Sequence, residues 1–335
     1  MEDELMDAVR YGDIKEVIKL IKDDADVNCK NKWGDTSLHI VGSNLEIAEL
    51  LIDNGADVNA QNNHGRTPLH QTICNYNFEN GHLEMAKLLI ERGVNISIKD
   101  YSGTIALDLA KQEGNCKIVE LIENSKQTIN SKLLIAAKKG AIDEIIGLLN
   151  RGVNINVQYQ SGETALHEAI QYNHTEVVKL LVNNGIDINA KEDRRGKTAL
   201  YTACEEAYFK RHPEYLDCKQ ARFEIVQLLI DKGADINTSD NEIVTPLHRM
   251  ICVGYFEMVQ LLIKNGANVN TNNKSGYTPL HTACTYGPKT RIAKLLVESG
   301  ADVNIKNNEG QTALDLAKEY SFKESHDEII ELLKL

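Results

Sequence analysis

The sequence predicts an all-α solenoid of about ten helix–turn–helix–hairpin units, curved and carrying short β-hairpin tips. Two recurring phrases and their spacing predict this fold class. A Thr-Pro-Leu-His box stands at Thr67–His70, Thr245–His248 and Thr278–His281, and from Thr245 to Thr278 is 33 residues. A second phrase, Gly-Ala-Asp-Val-Asn, follows the box after about 20 residues, as at Gly300–Asn304.

Each phrase predicts one element of the unit. The box predicts the start of a short first helix, because a Thr hydroxyl caps a free N–H and Pro at the first helical position loses no bond. The second helix carries an apolar stripe such as Ile225, Val226 and Leu229, and Gly233 then ends it. One unit cannot bury such a stripe alone, so neighbours must stack. The first box positions of the ten units are Asp3, Thr36, Thr67, Ile105, Ser131, Thr164, Thr198, Thr245, Thr278 and Thr312.

Box, phrase and period together resemble the ankyrin-repeat family over roughly residues 2–335. The resemblance implies that the box His ties neighbouring loops together, a role that falls to His39, His70, His167, His248 and His281. It implies that the Asn of the Asp-x-Asn phrase braces the hairpin, a role that falls to Asn28, Asn59, Asn156, Asn189, Asn237, Asn270 and Asn304. Four positions depart from these patterns and leave local bracing open: Ser97, Asp108, Tyr201 and Asp315.

The fifth unit indicates a break between two stacks. A terminal second helix should be polar on one face. The first unit has Glu16 and Lys19 there, and the fifth unit repeats the feature with Glu144 and Gly147. We therefore predict four repeats in residues 1–125 and six in residues 126–335, with a long insertion near residues 205–222. Insertions of this kind are expected in surface loops.

Composition weighs against several functions. Lys and Arg number 37 against 49 Asp and Glu, a net charge of −12, so we expect no nucleic acid and no membrane as partner. Seven isolated cysteines without a CxxC pair, after an acidic N-terminus, predict a reducing, cytoplasmic environment. Gly196-Lys197-Thr198 resembles the end of a P-loop, but Lys191 stands where that motif needs its first Gly. We expect no enzyme activity, no catalytic residue, no cofactor and no metal.

The hairpin tips carry the binding prediction. Over eight tips the sequence places ten basic and five acidic residues, a local reversal of the overall charge. Trp, Tyr and Arg commonly anchor protein interfaces. The predicted partner-binding residues on the tips, and on the aromatic insertion, are Trp33, Arg66, Tyr101, Lys191, Arg194, Arg195, Lys197, Tyr208, Phe209 and Tyr277.

The leading hypothesis is a monomeric, non-catalytic scaffold that binds an acidic or mixed-charge protein segment on a concave face of tips and first helices. An alternative is an adaptor or effector that recruits a host protein to a larger complex such as a ubiquitin ligase. Such adaptors usually append a second motif, and this chain ends in its last repeat helix at Leu335. A second alternative places a ligand-binding or enzymatic site in the insertion. Richness in Asn, Lys and Ile is similar to ankyrin proteins of intracellular bacteria and large viruses, which suggests delivery into a host cell.

Overall fold

The computed structural model describes residues 2–74, 80–205, 215–285, 289–320 and 327–334, and these residues form helices in successive pairs. The first helices of the pairs are α1 (Glu2–Tyr11), α3 (Ser37–Ile40), α5 (Pro68–Cys74), α7 (Ala106–Gln112), α10 (Ala165–Gln171), α12 (Ala199–Ala203), α14 (Pro246–Val253), α16 (Pro279–Thr285) and α18 (Ala313–Glu319). The second helices are α2 (Ile14–Lys22), α4 (Leu45–Asp53), α6 (Asn80–Glu91), α9 (Ile142–Asn150), α11 (Thr175–Asn183), α13 (Tyr215–Asp231), α15 (Phe256–Lys264), α17 (Thr290–Glu298) and α19 (Asp327–Leu332). One longer helix, α8 (Cys116–Lys139), follows α7.

Stacking follows the apolar stripes. First helices pack on the next first helix, as α14 does on α16, and second helices on the next second helix, as α15 does on α17. Because it has neighbours on two sides, α15 buries Met258, Val259, Leu261 and Leu262. By contrast, α2 buries only Val17 and Leu20, and α9 only Ile145 and Leu148. The one-sided burial predicted for the first and fifth units is therefore confirmed.

The chain divides into two compact units by its internal contacts. One comprises Met1–Leu133 with Asp143–Asn154, and the other comprises Leu134–Ile142 with Ile155–Leu335. The predicted junction near residue 125 lies within α8, which runs without interruption from Cys116 to Lys139. The shortened spacing between the fourth and fifth boxes thus corresponds to a helix that replaces a tip.

Part of the predicted insertion is helical. Residues 206–214 lie outside the described residues, but α13 already begins at Tyr215 and runs for 17 residues, against nine for α11 and α15. The expectation of a loop is wrong for residues 215–222. Arg222 explains why, since its side chain is buried and its Nη1 donates to the Thr202 carbonyl at 3.4 Å. This contact fastens the start of α13 to its own repeat.

The tips are shorter than the predicted β-hairpins. Among the described residues, four tips close on isolated antiparallel bridges: Lys99–Ile105, Gln158–Thr164, Lys191–Thr198 and Lys306–Thr312. Their remaining backbone groups bond to side chains and to neighbouring tips.

Candidate binding site: the hairpin tips

Each tip leads into a capped first helix. In the second repeat, the Thr36 backbone N–H donates to His39 Nδ1 at 3.1 Å, and the Thr36 hydroxyl lies 2.9 Å from the same nitrogen. Since Nδ1 accepts, the ring proton sits on Nε2. The same capping geometry recurs at Thr67, Thr164, Thr245 and Thr278.

The box histidine also reaches the next repeat, as the resemblance implied. His39 Nε2 donates to the Arg66 carbonyl at 2.9 Å, and His248 Nε2 donates to the Tyr277 carbonyl at 3.1 Å. His70, His167 and His281 make the same link to Thr104, Lys197 and Gln311. Burial lowers the pKa of all five, that of His248 to about 4. The neutral ring is the form this geometry needs.

Tyr201 replaces the box histidine with a longer side chain. Its hydroxyl donates to Asp240 Oδ2 at 2.6 Å and accepts from Arg249 Nε at 2.7 Å. The link from α12 to the eighth repeat is therefore kept, although it ends on a carboxylate rather than a carbonyl. At the end of the chain, Asp315 accepts from the Thr312 N–H at 2.9 Å and so reproduces the cap of its own helix.

The Asn of the Asp-x-Asn phrase bonds forward to the next repeat. Asn237 Nδ2 donates to the Gly266 carbonyl at 3.1 Å, and the Asn268 N–H donates to Asn237 Oδ1 at 2.8 Å. Asn28, Asn189 and Asn270 form the same pair of bonds. Ser97 instead donates to Asn95 within its own repeat, at 2.7 Å.

A short acceptor side chain closes each tip from inside. Asn62 Oδ1 accepts the N–H groups of His64 and Arg66 at 3.0 and 3.1 Å. The residues that do this elsewhere are Asn31, Asp100, Asp240, Asn273 and Asn307. Sequence reasoning missed this position, although an Asn or Asp four residues before the box residue is a signal of it.

The seventh tip is one residue longer and has a longer acceptor. The Glu192 N–H donates to the Lys197 carbonyl five positions on, whereas Asn62 bonds to Arg66 four positions on. The Glu192 carboxylate reaches the N–H groups of Arg194, Arg195 and Lys197, at 2.9, 2.7 and 3.4 Å. The added methylene accommodates the added residue.

Backbone hydrogen bonds join successive tips into a tip ladder. In the first compact unit, the Asn63 N–H donates to the Trp33 carbonyl and the Tyr101 N–H to the His64 carbonyl, both at 3.0 Å. In the second unit the donors are Asp193, Asn241, Lys274 and Asn308, and the acceptors are Ser161, Arg195, Glu242 and Ser275. Gly276 shows how close the approach is, since a Cβ there would lie 2.7 Å from the Asn308 nitrogen. Each tip is therefore held in register with the next.

In the first unit the predicted binding residues lie along this ladder. Trp33 is 52% exposed and Tyr101 76% exposed, and Lys32 Nζ lies 4.3 Å from the Trp33 ring centroid. Arg66 is half-buried, with Nε 3.9 Å from Asp100 Oδ2. Two large rings thus face solvent beside cationic groups.

In the second unit the structure brings most of the predicted basic cluster together. Lys191, Arg194 and Arg195 are exposed on the seventh tip. Lys197 turns away, because its side chain is only 12% exposed and pairs with Glu205 at 2.5 Å. A cleft of about 180 Å³ lies beside this tip, lined by residues that include Arg194, Arg195 and Gln171.

A second cleft, of about 520 Å³, lies between the eighth to tenth tips and the first helices α14 and α16. Its lining includes Arg249, Lys274 and Tyr277. Tyr277 is partly exposed, with its ring centroid 5.7 Å from that of His281. Tyr208 and Phe209, predicted in the insertion, lie outside the described residues.

Other kinds of site were sought in the same part of the chain. The residues the structure describes hold no group of three or more His, Cys, Asp or Glu side chains arranged to bind a metal ion. None of the helices described there is long and apolar enough to cross a membrane.

Capped helix pairs that stack in series and join through their tips define a solenoid repeat protein, a class that offers extended surfaces to partners. The chain belongs to the ankyrin-repeat family. The family model "Ankyrin repeats (3 copies)" matches residues 5–100, 133–240, 211–273 and 247–334. Ankyrin repeats are general protein–protein interaction modules, and the family is generally non-catalytic.

Individual relatives agree on the family but cover only part of each protein. An ankyrin repeat protein of Fowlpox virus (strain NVSL) is 33% identical over 136 residues, which are 40% of this chain and 36% of that protein. Ankyrin repeat and SOCS box protein 6 of Mus musculus is 31% identical over 137 residues, which are 39% of this chain and 30% of that protein. A crystal structure of an ankyrin repeat domain from Acinetobacter baumannii AYE superposes with a TM-score of 0.52 at 27% identity, covering 61% of this chain and 96% of that one. The chain thus spans about a third of the length of these curated relatives.

Proposed function

We propose that the chain is a non-catalytic scaffold that binds a partner protein along its hairpin tips and adjoining first helices. The tip ladder is the observation that carries the proposal. Because hydrogen bonds already fix the spacing of the tips, a partner would not have to order them, and this lowers the cost of binding. Six free cysteines among the described residues agree with a reducing compartment.

The charge on the tips supports a partner segment that is acidic or of mixed charge. Arg194 and Arg195 are exposed, and their backbone is fixed by Glu192. Trp33 and Tyr101 add exposed aromatic surface on the first unit. Aromatic and Arg anchors on a fixed backbone are the usual centres of binding energy in protein interfaces.

An adaptor role is a second candidate, favoured by one relative. The Mus musculus relative is by name an ankyrin repeat and SOCS box protein. The shared segment is confined to 30% of that protein, so the likeness supports a partner-binding part and leaves recruitment to a larger complex as a proposal.

Affinity capture with a charge-reversed tip tests the proposed function. We expect R194E/R195E to lose tip-dependent partners by at least about tenfold, since each charged contact at an interface contributes on the order of 1–3 kcal/mol. The matched control is K232E/K294E, two lysines on second helices outside the tips. Equal recovery by the tip variant and the wild type would remove the tips of the seventh repeat from the interface.

A further inference from the structure

Glu168 is a buried carboxylate that the repeat does not use. It follows the box histidine of α10 and is only 7% exposed, yet no described residue donates a hydrogen bond to its carboxylate. The same position in other repeats is satisfied. Arg249 bonds to Tyr201, and the Thr282 hydroxyl donates to the Thr278 carbonyl at 3.1 Å. A buried charge without a partner is costly, so its presence calls for an external one.

The surroundings of Glu168 are aromatic and acidic. Burial raises the pKa of Glu168, and the Glu163 carboxylate raises it further. Burial also raises the pKa of the Tyr159 phenol, followed by the effect of the Glu168 carboxylate. Tyr172 is exposed nearby, with its ring centroid 5.3 Å from Lys138 Nζ. The Glu168 carboxylate therefore faces two phenol rings and a second carboxylate.

The sixth tip is built to present Tyr159. Tyr159 occupies the place where other tips carry Asn, Asp or Glu as the internal acceptor, and a phenol ring cannot accept two loop N–H groups there. The Ser161 hydroxyl instead donates to the Glu163 carboxylate at 2.7 Å and holds the tip from the side. Giving up the usual acceptor places an aromatic ring at the edge of the tip.

The charge balance of this place favours a cation. Lys138 is the one positive group that acts on the Glu168 carboxylate, and it is exposed and within 4 Å of no described carboxylate. Ring faces attract cations, and a carboxylate bound to a guanidinium or ammonium group is a strong, charge-assisted pair. A planar guanidinium can stack on a ring and bond to the carboxylate at once.

We propose that Glu168, flanked by Tyr159 and Tyr172, forms a subsite for a basic side chain, the guanidinium of Arg or the ammonium of Lys, on the partner. This rests on the proposed function and gives that partner a mixed-charge character: acidic groups toward the seventh tip and one basic group toward the sixth. Lys138 weakens the site by repelling a second cation, since like charges at short range disfavour each other.

The test uses ethylguanidinium chloride as the probe on full-length protein with ¹³C-labelled tyrosine rings. We expect saturable shifts of the Tyr159 and Tyr172 ring signals, with a dissociation constant on the order of millimolar. E168Q should weaken binding about tenfold or more, because the charge-assisted bond is lost while the shape is kept. K138M should tighten binding several-fold. The matched control, E176Q, removes an exposed carboxylate that pairs with Lys179 and should leave binding unchanged.

Two arms separate the possible ligands. n-Propylammonium chloride tests the Lys side chain, and a weaker but E168Q-sensitive shift supports the proposal for both groups. Ethylurea, which has the shape without the charge, should give no saturable shift. Shifts that persist unchanged in E168Q, or that weaken in K138M, overturn the proposal. Since no protein partner is used, failure here leaves the tip surface standing, whereas unaffected capture by R194E/R195E would remove the proposed tip contacts without touching this subsite.

Discussion

At the scale of single residues, the box histidine joins two structural tasks in one ring. Nδ1 of His248 accepts from the Thr245 N–H, and Nε2 donates to the Tyr277 carbonyl in the next repeat. Protonating Nδ1 would remove the cap. Burial and geometry therefore act in the same direction and keep the ring neutral in the folded protein.

Stability should consequently fall with acidification. The pKa of His248 is lowered from its ordinary value to about 4 in the folded protein, so this contribution is complete above about pH 6.5 and is lost as the pH falls toward 4, because the unfolded chain takes up the proton first. The loss is on the order of 3 kcal/mol for this residue. Urea unfolding midpoints measured from about pH 7 to pH 4 should show a shallower slope in H248Q.

The control for this effect is H64Q. His64 is exposed on the third tip and belongs to no box, so its removal should leave the slope as in the wild type. A slope in H248Q equal to that of the wild type would show that other groups dominate the acid response.

At the scale of elements, side-chain amides bind one repeat to the next. Asn237 makes two bonds across the boundary, whereas Asn304, in the last repeat, accepts and donates across no boundary among the described residues and only continues the local turn through its N–H to Asp302 Oδ1. The two residues are the same in type and position within the repeat, so they separate local from inter-repeat contributions.

We expect N237A to lower the free energy of unfolding by about 1–3 kcal/mol, since the Gly266 carbonyl and the Asn268 N–H lose their partner. N304A should cost less than about 0.5 kcal/mol. Chemical denaturation of the two variants under identical conditions measures the difference. Equal losses would mean that the inter-repeat bonds add nothing to the local turn.

At the scale of the whole molecule, we propose that residues 1–125 and 126–335 are separate stacks. In solenoids, stability depends on neighbouring interfaces, so an interruption should divide the cooperative unit. Hydrogen exchange at rising urea should show two classes of amides. I47A, in α4, should shift only the first class, and L262A, in α15, only the second, each by about 2–5 kcal/mol because both side chains are fully buried. Movement of both classes by either variant would indicate one cooperative stack.

The sequence was informative wherever one residue type has one job. Thr-Pro-Leu-His predicted the capped first helix at Thr245, and the polar residue Glu144 predicted the one-sided burial of α9. It was less informative where a job can pass to another residue type. Tyr201 takes over the histidine link only because Asp240 and Arg249 lie within reach, and that depends on packing across 39 and 48 positions. Glu168 differs again, because its lack of a partner is visible only once its neighbours are placed.

The longer seventh tip has a consequence for exchanging turns between repeats. Its extra residue and its Glu form one cassette, since a carboxylate on a shorter stem could not span residues 194 to 197. Transplanting the two arginines alone into a shorter turn would move their charge without the scaffold that aims it. Residues 192 to 197 should be regarded as a single portable part.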